Sequence, residues 1–361
     1  MHGFKNQLLS RSLSLSTLLS TLIISFTPNA FAIDAEKIMH AKHGVVMVRG
    51  YNQVGGLAYG SGVVVAKDKI ISNCHVLRTT KAPWINVGEE TYPVTSVQAD
   101  TWHDLCLLTT FNLPIDPVEI GSGKALKRGQ EVLSIGHSNG SPAALTSSGS
   151  IKTTYPFEGE NVIRSSAQFR MGASGSGIFD LEGKLLGINT FKSPGKNAYF
   201  YSLPIEWLGS LQKLPVDTTF PVAGKAFWEE DDDKKPFFMQ MAIPEINQDW
   251  PKLAQVAENW ISADAKNTEA WFELGTANEN LFKLEEAEKA YQQAVALDAG
   301  NIDALFRLGV IAFNKGDNVG VNAVKQSIAA IDPALAEEYR QILGCGTQCW
   351  ENPEGLIKNT D

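Results

Sequence analysis

The chain has 361 residues, 43% hydrophobic and 20% charged, long enough for two domains and ordinary for a protein that buries a core. Its formal charge of −9 and the lack of any basic cluster argue against a nucleic-acid partner.

Lys5 and Arg11 precede an apolar stretch around 18–26, and Ala30-Phe31-Ala32 offers a small-x-small cleavage site. Residues 1–32 are expected to be a secretory signal peptide, with the mature chain beginning near Ile33. The apolar run, interrupted by Ser20, Thr21 and Ser25, is short for a bilayer span, and no later stretch is long enough for one. The expected destination is periplasmic or secreted, hence oxidising, so cysteines can pair. Cys74, Cys106, Cys345 and Cys349 allow three connectivities, among which the sequence alone does not choose.

After a short helical lead-in at 35–40, the chain from 44 to 204 alternates short β-branched and aromatic runs with Gly, Pro, Asn and Ser. The runs include 44–49, 62–66, 69–72, 105–110, 132–135, 161–165, 184–190 and 199–203. Many short strands with punctuated turns predict an all-β barrel or sandwich.

Residues 172–177, Gly-Ala-Ser-Gly-Ser-Gly, carry almost no side-chain bulk, so the backbone can turn tightly and aim N–H groups at one point beside an exposed hydroxyl. That is the local chemistry of acyl transfer: Ser174 as nucleophile, with the N–H groups of Gly172 and Ser174 as oxyanion donors. Such a serine requires a base and a carboxylate that orients it. His75 stands just past the run 69–72, and Asp104 opens the apolar stretch 105–108, where a buried carboxylate is costly unless paired. The order His75, Asp104, Ser174 is that of chymotrypsin-type barrels and differs from the subtilisin and α/β-hydrolase orders. His103 reads as a surface residue pointing away from Asp104 along a strand, and His137 as a turn residue. No constellation has metal-ligand spacing, and no cofactor is expected.

The segments 60–76, 104–108, 129–136 and 172–190 resemble the protease domain of the HtrA (Deg) serine endopeptidases of the trypsin-like clan, over nearly all of 44–208. The resemblance implies a chymotrypsin-like double β-barrel over 33–214, with His75 as general base, Asp104 as its orienting carboxylate, Ser174 as nucleophile, and Gly172 with Ser174 as the oxyanion hole. It places the substrate pocket near Gln168, Phe169, Asn189 and Tyr201. No acid stands at 167–170, so a medium apolar residue is expected before the cleaved bond. If that triad assembles, Cys74 and Cys106 share one neighbourhood, and a disulfide between them is expected over two buried thiols. The chain departs from the family pattern at Ala173, where Asn or Asp is usual, and at Ser176, where the family has glycine. These departures leave a second reading, a catalytically silent envelope scaffold that only binds polypeptide.

A charge run at 229–235 before Pro236 predicts a solvated linker over 215–247. Beyond it the periodicity becomes helical. Trp271, Leu274, Gly275, Ala287, Tyr291 and Ala294 recur 34 residues later as Leu305, Leu308, Gly309, Val321, Lys325 and Ile328. That region, 248–343, resembles tetratricopeptide repeats with a degenerate first unit and a capping helix, followed by a tail at 344–361. The expected partners are polypeptide substrates and a protein or peptide on the repeats, whose groove is only slightly favoured over simple packing against the protease.

Overall fold

The computed structural model describes residues 34–195 and 198–344. The expected signal peptide, the tail, and Cys345 with Cys349 lie outside the described residues. Among the described residues no helix is long and apolar enough to cross a membrane.

Helix α1 (Ala35–His43) is capped by the Asp34 carboxylate, which accepts from the N–H groups of Glu36 and Lys37. Strands β1 (Val45–Tyr51), β2 (Leu57–Ala66), β3 (Lys69–Asn73), β4 (Trp84–Val87), β5 (Glu90–Pro93), β6 (Ser96–Asp100) and β7 (Leu105–Thr109) follow. They form an antiparallel half-barrel in the order β5-β4-β1-β2-β3-β7-β6. Alternation of side chains explains why stretches such as 63–64, 70–71 and 105–108 are apolar at successive positions: each face of the strand meets a core. Cys106 and Leu108 of β7, Ile70 of β3 and Val64 of β2 enter the core of this sheet. Leu105, Leu107, Ile71 and Val63, one position out of phase, enter the larger core shared with the rest of the molecule.

Strands β8 (Glu131–Gly136), β9 (Leu145–Phe157), β10 (Glu160–Ser165), β11 (Ser176–Phe179), β12 (Leu185–Lys192) and β13 (Phe200–Pro204) close into a six-stranded barrel, and α2 (Leu208–Leu211) follows. The expected β-then-α architecture is observed, with one barrel closed and the other a half-barrel.

The segment expected to be a solvated linker is folded. Asp217 pairs with Val97 of β6, Val222 joins the first core, and Ala226 and Phe227 have no exposure. Within the charge run 231–234 is exposed, and it masks the buried apolar residues on either side of it, Phe227 and Phe238. Helix α3 (Phe237–Ile246) then packs on the closed barrel, Phe238 stacking on Tyr155 at 4.7 Å and 12°.

Helices α4 (Trp250–Ala263), α5 (Thr268–Asn280), α6 (Leu284–Leu297), α7 (Ile302–Asn314), α8 (Asn318–Ile331) and α9 (Pro333–Gly344) complete the chain. The 34-residue period has a steric basis. A β-carbon at Gly275 would lie 2.5 Å from the Tyr291 ring, and one at Gly309 would lie 2.1 Å from the Tyr339 hydroxyl. The second repeat has Lys325 where the first has Tyr291, and the ring that fills the glycine notch comes instead from the capping helix α9. Asn267 and Asn301 also recur, each capping its helix by accepting from the N–H three residues on.

Candidate active site

The register of β3 and β7 assembles the first two residues. Asn73 is paired with Leu105 at the ends of both strands. A 3-10 turn, Cys74–Leu77, then carries His75, while Asp104 stands one residue before β7. Residue 104 has φ 57, a left-handed conformation that aspartate tolerates better than most side chains. The carboxylate, without exposure, accepts from His75 N at 2.8 Å and is 2.6 Å from His75 Nδ1. Bonding on both its oxygens fixes the turn and the ring together, with Nδ1 as the protonated nitrogen. The disulfide Cys74–Cys106, with α-carbons 5.0 Å apart, ties the same two strand ends.

Ser174 is partly exposed, whereas Gly172, Ala173, Gly175 and Ser176 around it are buried. Its carbonyl accepts from Ser61 N at 2.8 Å, and Ser61 Oγ donates to the Gly172 carbonyl at 2.8 Å, so β2 holds the loop at both ends. A β-carbon at Gly60 would lie 3.1 Å from the Ser174 carbonyl oxygen and 2.6 Å from a methyl of Val76, the residue after His75. The Ser174 loop and the histidine turn therefore meet across β2.

The turn Arg170–Ala173 is closed by Ala173 N donating to Arg170 O at 2.9 Å, with Gly172 at φ 89, the geometry of a type II turn. Asn139 N donates to the Met171 carbonyl at 2.6 Å. In a trans peptide the C=O and N–H point opposite ways, so this bond turns the Gly172 N–H away from Asn139. Among the described residues, the N–H groups of Gly172 and Ser174, Nε2 of His75 and Oγ of Ser174 have no hydrogen-bond partner within the protein, while Ala173, Gly175 and Ser176 N–H are all engaged. The four free groups are those that acyl transfer would use.

The expected pocket residues divide. Gln168 is exposed and Phe169 buried, its ring 5.2 Å from Phe200. Asn189 is not a pocket wall: its amide donates to Ser134 Oγ, Ser176 Oγ and the Gly177 carbonyl, each at 2.9 Å, inside the closed barrel. A bulge between Asn189 and Phe191 breaks the strand alternation, so that Asn189 opposite Ser202 points inward while Phe191 opposite Tyr201 lies against Tyr201 and Trp228. Tyr201 is buried, and burial pushes its phenol upward. Ser176, read from the sequence as loop structure, begins β11 and accepts this Asn189 bond.

His103 is not a surface residue. It lies in a turn rather than on a strand, with Nδ1 2.7 Å from Asp100, Nε2 3.0 Å from Glu158 and its ring 4.0 Å from Trp207. His137 is a packed loop residue with Nδ1 2.8 Å from the Ser141 carbonyl, and burial holds its imidazole below the ordinary range. Among the described residues no cluster of three His, Cys, Asp or Glu could hold a metal ion.

Three residues beside His75, Asp104 and Ser174 escaped sequence reasoning. Trp228 Nε1 donates to Asp104 Oδ2 at 3.1 Å, and Glu229 accepts from Arg78 Nη1 at 2.6 Å; both stand in the stretch expected to be linker. Ser61 is the third. The only available signal for Trp228 was an aromatic pair, Phe227-Trp228, at the edge of a charge run.

A family profile described as a trypsin-like peptidase domain matches residues 60–188, and a tetratricopeptide-repeat profile matches 268–301. The periplasmic serine endoprotease DegP of Escherichia coli K12 is 28% identical over 153 residues, 39% of this chain and 31% of that protein. The anti-sigma-I factor RsgI9 of Acetivibrio thermocellus is 29% identical over 151 residues, 41% of this chain and 21% of that protein. The chain thus spans about a fifth to a third of the length of these relatives. A crystal structure of the Rv3671c protease of M. tuberculosis in its active form superposes with a TM-score of 0.47 at 22% identity, covering 59% of this chain and 99% of that one. The chain carries a trypsin-like peptidase domain with DegP-type relatives, followed by a tetratricopeptide repeat.

Proposed function

We propose that the protein is an exported serine endopeptidase acting through His75, Asp104 and Ser174. The observation that carries this reading is the buried Asp104 carboxylate bonded to both the backbone and the ring of His75, beside a serine loop whose Gly172 and Ser174 N–H groups are free. Ser174 Oγ attacks the peptide carbonyl while His75 Nε2 takes its proton. The oxyanion is received by the Gly172 and Ser174 N–H groups, His75 returns the proton to the leaving amine, and water repeats the sequence on the acyl-enzyme. Export is supported by the Cys74–Cys106 bridge, which persists in an oxidising compartment.

The substrate is an extended polypeptide. Strand β12 outruns β11: pairing on that side ends at Ser176 with Asn189, and beyond it Phe191 and Lys192 pair only with β13. A chain segment added to this free edge lies beside Ser174 and leads into a cleft of about 900 Å3 lined by Phe191, Lys192, Trp228, Gln240, Ile243 and Val256. Helices α3 and α4 form the far wall. We assign the domain limits as 33–214 for the protease and 248–343 for the repeats, the stretch between them being part of the fold.

A fluorophosphonate probe applied to the purified protein should label Ser174. Ser174→Ala should abolish labelling and polypeptide cleavage, whereas Ser176→Ala should keep most activity. Label found on Ser176, or surviving in Ser174→Ala, would sink the assignment, and an unlabelled wild-type protein would favour the silent scaffold.

A further inference from the structure

We propose that Trp228 is a positioning residue for the His75–Asp104 pair, supplied by the segment that joins the barrels to the helices. The proposal rests on the protease reading. Oδ2 of Asp104 faces two donors, Nδ1 of His75 at 2.6 Å and Nε1 of Trp228 at 3.1 Å, and Oδ1 accepts from His75 N at 2.8 Å. The carboxylate has no exposure, so water does not substitute for the indole N–H. Without that donor Oδ2 is held by the imidazole alone, and the carboxylate, still anchored at Oδ1 by His75 N, is less tightly fixed about its last torsion and orients the ring less strictly.

The indole is itself held. Its ring stands edge-on to His75 at 5.5 Å and 83°, and stacks on Phe191 at 5.5 Å and 21°. Its backbone is anchored on both sides: Phe227 N donates to Trp102 O at 3.0 Å, and Glu229 Oε2 accepts from Ala226 N at 2.9 Å. Glu229 also grips Arg78, the residue that follows the His75 turn, at 2.6 Å. Burial pushes the Glu229 carboxyl up, but Arg78 and the Ala226 N–H outweigh it and hold the group below its usual range. The turn carrying the base is therefore tied to 226–229 twice, through Asp104 and through Arg78.

A simple core role does not account for Trp228. The adjacent Phe227 has no exposure and fills the core against Phe157 and Phe191, whereas Trp228 remains partly exposed and borders the substrate cleft. Its single polar atom is spent on the catalytic carboxylate.

The test uses the full chain. Trp228→Phe keeps a ring for the stack and removes the N–H. The variant should fold with a modestly lowered melting temperature, keep KM within about twofold and lose about tenfold in kcat on a peptide substrate, the worth of one bond to a charged acceptor. In an Asp104→Gly background, where glycine accepts the φ of 57, the same substitution should change nothing, because its acceptor is gone. The His75 Nδ1 proton, followed by NMR, should exchange faster with solvent in Trp228→Phe, and this readout does not depend on catalysis. An unchanged kcat, an equal loss in the Asp104→Gly background, a rise in KM alone, or an unaltered Nδ1 exchange rate each overturns the proposal. Absence of label on wild-type Ser174 would overturn the protease reading instead, leaving the Nδ1 exchange to decide the role of Trp228.

Discussion

Replacing Asp104 with asparagine sets the local hydrogen bonding against itself. The carboxylate accepts at 2.8 Å from His75 N on one oxygen, and on the other faces His75 Nδ1 at 2.6 Å and Trp228 Nε1 at 3.1 Å. An amide has only one accepting end. With its oxygen in the place of Oδ2, its NH2 group confronts the His75 main-chain N–H. With the oxygen in the place of Oδ1, the NH2 group confronts Nδ1 and the indole, and the imidazole escapes only by moving its proton to Nε2, the atom proposed to accept from Ser174. The backbone imposes no further penalty, since asparagine also tolerates the φ of 57. Either arrangement strands a buried donor, a loss of about 1–3 kcal/mol, so Asp104→Asn should fold with a lowered melting temperature. Turnover should fall by about four orders of magnitude, as the equivalent change does in a serine-protease triad of this type. Steady-state cleavage of a peptide amide, with thermal melting in parallel, measures both. A folded variant within about tenfold of wild-type turnover would show that another group orients His75 and refute the reasoning.

Two further outcomes follow from the same structure. The Cys74–Cys106 bridge closes a sequence separation of 32, so the double serine variant should lose about 3.5 kcal/mol in urea unfolding; a Cys74 that alkylates in denatured, unreduced protein would refute the bridge. Where the barrel meets α3 and α5, burial raises Glu269 to about 7 and Glu273 well above the usual carboxylate range, and Arg164 only partly offsets this. Both groups are more easily ionised in the unfolded chain, so stability should decline as pH rises from about 4.5 through about 7 and level off above the folded values. Melting temperatures of a Glu269→Gln, Glu273→Gln variant should show a flatter pH profile, and parallel profiles would exclude the pair as its cause.

The residues proposed as a triad stood out because each is announced by its chain neighbours: glycines around Ser174, strand ends beside His75 and Asp104. Fold class was legible from the change of period, and the glycine notches at 275 and 309 fixed the repeat length. The pocket was less so. Asn189 and Phe191 would share a face in a regular strand, and the bulge that puts them opposite Ser202 and Tyr201, on different faces, is not revealed by residue type. Trp228 was invisible for a different reason. It meets Asp104 from 124 positions away, through a fold of the chain that no local pattern encodes.

The charge run misled because composition records the solvated half of a segment and is silent about the half that docks. Phe227 sits among Phe157, Phe191 and Trp102, and Phe238 on Tyr155, with the exposed residues 231–234 looping between them. One core then runs from Leu133 and Tyr201 of the barrel through Phe238 to Leu253, Trp260 and Ala270 of the helices. A short repeat array exposes an unpaired end that must be covered, and here the barrel covers it through α3. The polar contacts extend that docking along the stack, with Arg164 on Glu245 of α3 at 3.6 Å and Arg128 on Asp303 of α7. The end of α7 that carries Asp303 is thereby turned toward the closed barrel, and Glu269 at the start of α5 lies near the same arginines. Packing on the barrel, held slightly less favoured on sequence grounds than a free peptide groove, accounts for this part of the repeat surface. The helices, the closed barrel and the segment that carries Trp228 consequently share one continuous core, with Phe227 and Phe238 on either side of the exposed loop.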